Sequence, residues 1–323
     1  MADSIPSAMA DKLAWFTESW SSVELRVHID QTHYDGQGRG EGDEHYIETA
    51  RGQRLYERSW PGVESGATDR TAEYADGTRF AEANWKGGRQ LNAIYKTAFF
   101  NEDTAANGFR PAPLVFLYLH HQPLAKALPK AESLGQDRHL GRDCEILLLK
   151  GVTWSFRPVD MVYHLDRETA LPLEVRCFDA GADRANDTPQ WYWEARSFDR
   201  LGDGRYWPMR SADFIYGPTK GGGTKLYTSR EIRVESILFN KTYSASSFRP
   251  PEEPGASVLD PHNKQYVVPG GKPLTKADLT VSGVAPAPAT PPTPWTTTAS
   301  TAGLIFGLAL LVVGLIVWWR QRR

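Results

Sequence analysis

Val23, Leu25, Val27 and Ile29 alternate with Glu24, Arg26, His28 and Asp30. A period of two is the signature of a strand with one buried and one wet face; a helix would scatter the same four apolar side chains around its circumference. The run ends at Tyr34-Asp35-Gly36, a turn signal. Comparable stretches follow at 44–49, 54–60, 78–85 and 89–100, and again at 139–150, 153–157, 161–166, 171–179, 190–198, 205–216 and 225–239. About a dozen strands joined mostly in chain order exceed what one flat sheet carries. The expected fold is therefore mainly β and antiparallel, strongly curled into a barrel or half-barrel. Eleven Trp, thirteen Tyr and thirteen Phe suit the half-buried faces of such a sheet.

Two stretches depart from the period of two. Leu13, Phe16 and Trp20 recur at helical spacing and predict a short opening helix over 11–21. Between 113 and 131, Leu114, Leu117, Leu124 and Leu128 sit among prolines, which predicts one or two short helices lying across the sheet.

From Ala302 to Trp319 there is no charged residue, and as a helix this run rises about 27 Å, close to the thickness of a bilayer's hydrocarbon core. Trp318 and Trp319 fall where an interfacial aromatic belt sits, and Arg320, Arg322 and Arg323 place the C-terminus in the cytoplasm by the positive-inside rule. Upstream, 284–298 is almost only Pro, Ala and Thr, an extended stalk without the means to form a core. The expected organisation is a β-rich domain over 1–282, a stalk over 283–300, a single transmembrane helix over 301–319 and a basic tail over 320–323. Gly303 and Gly307 give that helix a small-residue face on which a second helix can pack, although glycine is also simply tolerated in membrane helices. The domain is then exoplasmic or periplasmic. No signal sequence is visible in 1–20, which leaves three readings open: a start further upstream, a removed signal, or a tail-anchored protein with a cytoplasmic domain.

With 37 basic against 39 acidic residues the chain lacks the positive footprint of a nucleic-acid binder. Cys144 and Cys177 are too few for a zinc site; alternation turns both to the apolar side of their strands, where they are either buried free thiols or a disulfide. His120-His121 has neither an HExxH frame nor a nearby carboxylate, and the remaining histidines share no spacing, so no metal is implied. Asp160, Asp166 and Glu168 read as turn formers rather than paired catalytic acids. Gly221-Gly222-Gly223 lacks the ordered phosphate-loop pattern and precedes a strand, and no Gly-x-Ser-x-Gly elbow occurs. No cofactor and no enzymatic reaction are expected.

Four segments, HLGRDCEILLLK, YHLDRETALPLEVRCFD, WEARSFDRLGDGRYWPMRSADFIY and VESILFNKTYSASSFRPPEEPGASVLD, resemble the closing strands of the LolA-like superfamily of outer-membrane lipoprotein carriers and lipoprotein-sorting proteins. The echoes are the turn with Thr169 and Pro172, the Pro in Tyr-Trp-Pro, and Phe248 to Pro250; together they cover about half of the domain. The resemblance implies an incomplete antiparallel barrel whose mouth is covered by helices, and a cavity that holds acyl chains. The membrane anchor departs from a diffusing carrier. A non-enzymatic, membrane-anchored envelope protein binding lipid or an acylated protein is therefore expected, the alternative being an interaction or sensing module without a small ligand. Val23, Leu25, Val27, Ile29, Leu114, Leu117 and Leu124 are the candidate ligand-binding residues, though each is equally what plain core packing requires.

Overall fold

The computed structural model describes residues 5–34, 38–59, 70–76, 80–96, 110–119, 122–154, 157–219, 223–260, 262 and 264–271. The stalk, the predicted membrane span, Gly303, Gly307 and His120-His121 lie outside the described residues. Among those described, no helix is long and apolar enough to cross a membrane.

The first half is an antiparallel meander: β1 (Ser22–His33), β2 (Gly38–Thr49), β3 (Arg54–Ser59), β4 (Arg70–Ala75), β5 (Phe80–Lys86) and β6 (Arg89–Lys96). The second half is another: β9 (Glu132–His139), β10 (Arg142–Trp154), β11 (Arg157–Asp166), β12 (Pro172–Asp179), β13 (Trp191–Arg200), β14 (Tyr206–Pro218) and β15 (Thr224–Phe239). Between them, Tyr118–Leu119 and Gln122–Pro123 form a two-residue pair of strands, β7 and β8. The two meanders join where β1 pairs with β15, placing Val27 opposite Val234 and Ile29 opposite Ile232. Such apolar cross-strand pairs fix the register, because a one-residue slip would turn the whole set to solvent. β16 (Ser257–Leu259) adds in parallel to β6, and β17 (Gln265–Val267) closes that side. Among the described residues fifteen strands thus make one sheet, with β17 and β9 as its two ends rather than partners.

Helix α1 (Ile5–Glu18) begins earlier than its sequence pattern suggested, because Met9 extends the buried stripe of Leu13 and Phe16 by one turn. Trp20 lies beyond its end yet is buried. The segment between the meanders runs over the sheet as a 3-10 turn (Leu114–Leu117), one turn of α-helix (Leu124–Ala127) and a second 3-10 turn (Leu128–Lys130). Its apolar side chains meet α1 and the inward residues of both meanders in one continuous core. Phe116, for example, has its ring centre 4.8 Å from that of Trp191 and 4.6 Å from that of Trp193. A second core on the other face of β2 to β6 gathers Ile47, Leu55, Tyr74, Trp85 and Phe248.

Several sequence expectations need correcting. β4 was not anticipated. The stretch 139–150 is interrupted by a turn at Leu140-Gly141, where φ is 51° and 75°, so β9 and β10 form a hairpin and β9 is an added strand. The stretch 153–157 does not hold a separate strand: β10 continues to Trp154 through an irregularity between Leu149 and Val152. Cys144 and Cys177 are free and buried, which excludes the disulfide. Cys144 lies opposite Asp166 while Cys177 lies opposite Met161, itself opposite Leu149. They are two strands and several residues apart, on the order of 19 Å, far beyond disulfide reach.

Candidate functional site

At the end of the sheet where β11 turns into β12 and β13 into β14, α1 stands beside the two hairpin tips and the three enclose an open cleft of about 970 Å³. From α1 come Asp11, Lys12, Trp15 and Phe16; from the first turn Glu168, Thr169 and Leu171; from the second Arg200, Asp203, Gly204, Arg205 and Tyr206. The size is that of a site for a drug-sized or lipid-sized molecule.

Each wall is fixed by local chemistry. Phe16 stacks on Trp207 at 5.9 Å, and Trp20 on Phe239 at 5.2 Å, seating α1 on the sheet. Phe16 faces inward, while its neighbour Trp15 lies off the buried stripe and is 71% exposed. Across the cleft, Asp166 accepts hydrogen bonds from the Thr169 backbone N–H at 2.8 Å and the Thr169 hydroxyl at 2.6 Å, holding the turn in which Ala170 has φ 62°. Arg142 pins the two tips together. Its guanidinium donates to both Asp166 oxygens at 2.8 and 3.0 Å and to Glu168 at 2.6 Å, while lying 4.9 Å from the Phe198 ring centre and 4.6 Å from that of Tyr206. The hydrogen bond to Asp166 is the main cause of the rise of the Arg142 pKa above its ordinary value.

The seven candidate ligand-binding residues are brought together, but in the core. Val23, Leu25, Val27, Ile29, Leu114, Leu117 and Leu124 are all buried to within 2% exposure and belong to one cluster. None lines the cleft. The cleft residues carried one readable signal: in the helical stripe Leu13, Phe16, Trp20, the side chain of Trp15 has no place on the buried face. Lys12, Arg200 and Arg205 had none, since only the tertiary fold brings residue 12 to residue 200.

Asp160 and Asp166, two of the three acids singled out in the sequence, each hold a turn, whereas Glu168 is exposed at the cleft. Asp160 accepts the Gly151 N–H at 2.8 Å and Arg184 at 3.2 Å, and Asp166 organises its turn. A polar pin holds the segment that crosses the sheet: buried Arg110 donates to Glu48 at 2.7 and 3.0 Å and lies 3.6 Å from the Tyr118 ring centre. Burial raises the Glu48 pKa, but Arg110 and Arg54 outweigh it and hold the group down at about 2. On the outer face, the pairing of β1 with β2 brings His28, Asp30 and Glu41 together with ligand atoms within 4.8 Å of one another, the donor set of a divalent cation. The two carboxylates are exposed, and His28 Nδ1 is bonded to Asp43 at 2.8 Å.

No family model matches the chain, and no curated protein matches its sequence. Among solved structures it is similar to a domain from Vibrio parahaemolyticus assigned to outer-membrane lipoprotein sorting, at 12% identity and TM-score 0.47, covering 75% of this chain and 95% of that one. It is also similar to a LolA superfamily protein of Nitrosomonas europaea, at 10% identity and TM-score 0.46, covering 75% and 96%. A DUF1329 family protein of Desulfovibrio piger matches at 8% identity and TM-score 0.47, covering 76% and 95%. The superfamily that the sequence resembles is thus found among the structural neighbours. At such values the geometry of the chain itself, rather than these likenesses, carries the functional reading.

Proposed function

We propose that this protein is a non-enzymatic, membrane-anchored binding module that holds a lipid, or the acyl chain of an acylated protein, in the cleft between α1 and the two hairpin tips. The observation that carries this reading is the cleft: about 970 Å³, with an exposed Trp15 at its rim, Tyr206 in its wall, and the core residues Phe16 and Leu171 beneath its floor. An exposed aromatic at the mouth of a cleft covers hydrocarbon well, and each acyl CH₂ removed from water contributes about 0.8 kcal/mol. The reading includes a sheet curled as an incomplete barrel, with residues 110–119 and 122–131 packed over its inner face. It also includes a single C-terminal span over 301–319 that keeps the domain on the exoplasmic side. The ligand site moves from the sheet interior to its end, because the expected cavity residues already fill the core.

The alternative, an interaction module without a small ligand, draws on β9: all but its last residue are exposed and it pairs on one side only, with β10. Such an edge accepts an added strand, although Glu132, Asp137 and Arg138 blunt it. Native mass spectrometry of the full chain released from detergent separates the two. A bound amphiphile in one-to-one ratio, with occupancy reduced severalfold in Trp15→Ala, is the expected result. A ligand-free mass together with no uptake of a fluorescent fatty acid refutes the lipid reading.

A further inference from the structure

We infer that the ligand of this cleft is an anionic amphiphile, an acyl chain bearing a phosphate-type head, with the head held by Lys12, Arg200 and Arg205. The inference rests on the cleft being the ligand site and adds the charge of what it holds. The acids and bases around the cleft are equal in number but not equally paired. Glu168 is held by Arg142 at 2.6 Å, and Asp203 by Arg205 Nε at 3.4 Å. Among the described residues no carboxylate reaches Lys12 or Arg200: Lys12 Nζ donates to the Arg167 carbonyl at 2.6 Å, and Arg200 Nε to the Gly204 carbonyl at 3.2 Å. Asp11 is the one remaining acid at the rim.

Arg205 supplies the second observation. Its guanidinium lies 4.4 Å from the Phe239 ring centre, and Nη1 is buried without a hydrogen-bond partner among the described residues. A buried guanidinium N–H without an acceptor is costly, and an oxyanion is the acceptor that its fork best accommodates. Lys12 adds a flexible point charge from α1 and Arg200 a second fork from the opposite wall. Cations on both sides and Trp15 at the rim match a head and an apolar body within one molecule.

The test uses the full chain in phosphatidylcholine nanodiscs and oleoyl lysophosphatidate with a photoreactive group in its acyl chain, the labelled peptides being mapped by mass spectrometry. Labelling is expected in the peptides carrying residues 11–16 and 200–206. Unlabelled oleoyl lysophosphatidate is expected to compete at about tenfold lower concentration than oleoyl glycerol, which differs only in lacking the phosphate. In Lys12→Gln/Arg200→Gln, whose side chains are exposed, the two competitors converge to within about twofold, whereas Arg39→Gln on an exposed part of β2 keeps the difference. Labelling in the cleft with equal competition in the wild type overturns the head-group inference and leaves the lipid reading standing. Labelling elsewhere, or none, overturns both.

Discussion

Replacing Arg110 by Met keeps an apolar stem of similar length but removes the guanidinium that ties the crossing segment to β2. Arg110 is 1% exposed and makes two hydrogen bonds to Glu48, so its loss leaves a buried carboxylate short of its main partner. Breaking a buried pair in this way costs about 3–5 kcal/mol. Glu48 retains Arg54 Nε at 3.0 Å and the Tyr46 hydroxyl at 2.9 Å, which places the expected loss near the lower end, about 3 kcal/mol. With a urea dependence of about 3 kcal/mol per M, the unfolding midpoint of the full chain in a mild non-ionic detergent falls by about 1 M. Glu48→Gln alone strands Arg110 and costs a similar amount, so the double variant loses less than the sum of the singles by about 1–3 kcal/mol. The pH dependence has a defined sign. Glu48 is held at about 2 in the folded state against an ordinary value of 4.5, so its pairing stabilises the fold fully above pH 4.5 and less as the pH falls toward 2. The advantage of the wild type over Arg110→Met therefore narrows below pH 4.5. Additive single and double losses, or a gap unchanged between pH 7 and pH 3, would refute the reasoning.

Phe116→Ala empties the space between Trp191 and Trp193 and is expected to cost about 3–5 kcal/mol by thermal or urea unfolding; a loss under about 1 kcal/mol would contradict the packing of the crossing segment. The denatured, unreduced chain should titrate two thiols with Ellman's reagent. In the folded protein both should react slowly at pH 8, because burial pushes Cys144 and Cys177 up to about 11. A single thiol or none would overturn their assignment as free. The hydrogen bond from His28 to Asp43 raises the His28 pKa, so its stabilisation is complete below the ordinary value of 6.5 and lost as the pH rises through the raised one. Asp43→Asn should thus lower stability more at pH 5.5 than at pH 8.5, with the His28 NMR titration moving down; equal losses at both would count against the pair.

The strand content and the inward faces were legible in the sequence because they depend on a local period. The alternation in β1 places Val23, Leu25, Val27 and Ile29 on the buried face wherever the strand is placed, and Leu13 and Phe16 define the inner stripe of α1 without reference to anything beyond them. The turn at Leu140-Gly141 was not legible because only Gly141 marks it, and a leucine at φ 51° is not a residue that sequence patterns assign to the left-handed region. The period says that a face is buried but not by what. The same leucines, 114, 117 and 124, fit a cavity lid or a filled core, and only the packing of Phe116 against Trp191 and Trp193 decides for the core. The pairing of β1 with β15 and the placing of Lys12 and Arg200 around one cleft join residues about two hundred positions apart. Contacts of that range depend on the register of every intervening strand, which no local pattern carries, and the candidate site is made of them.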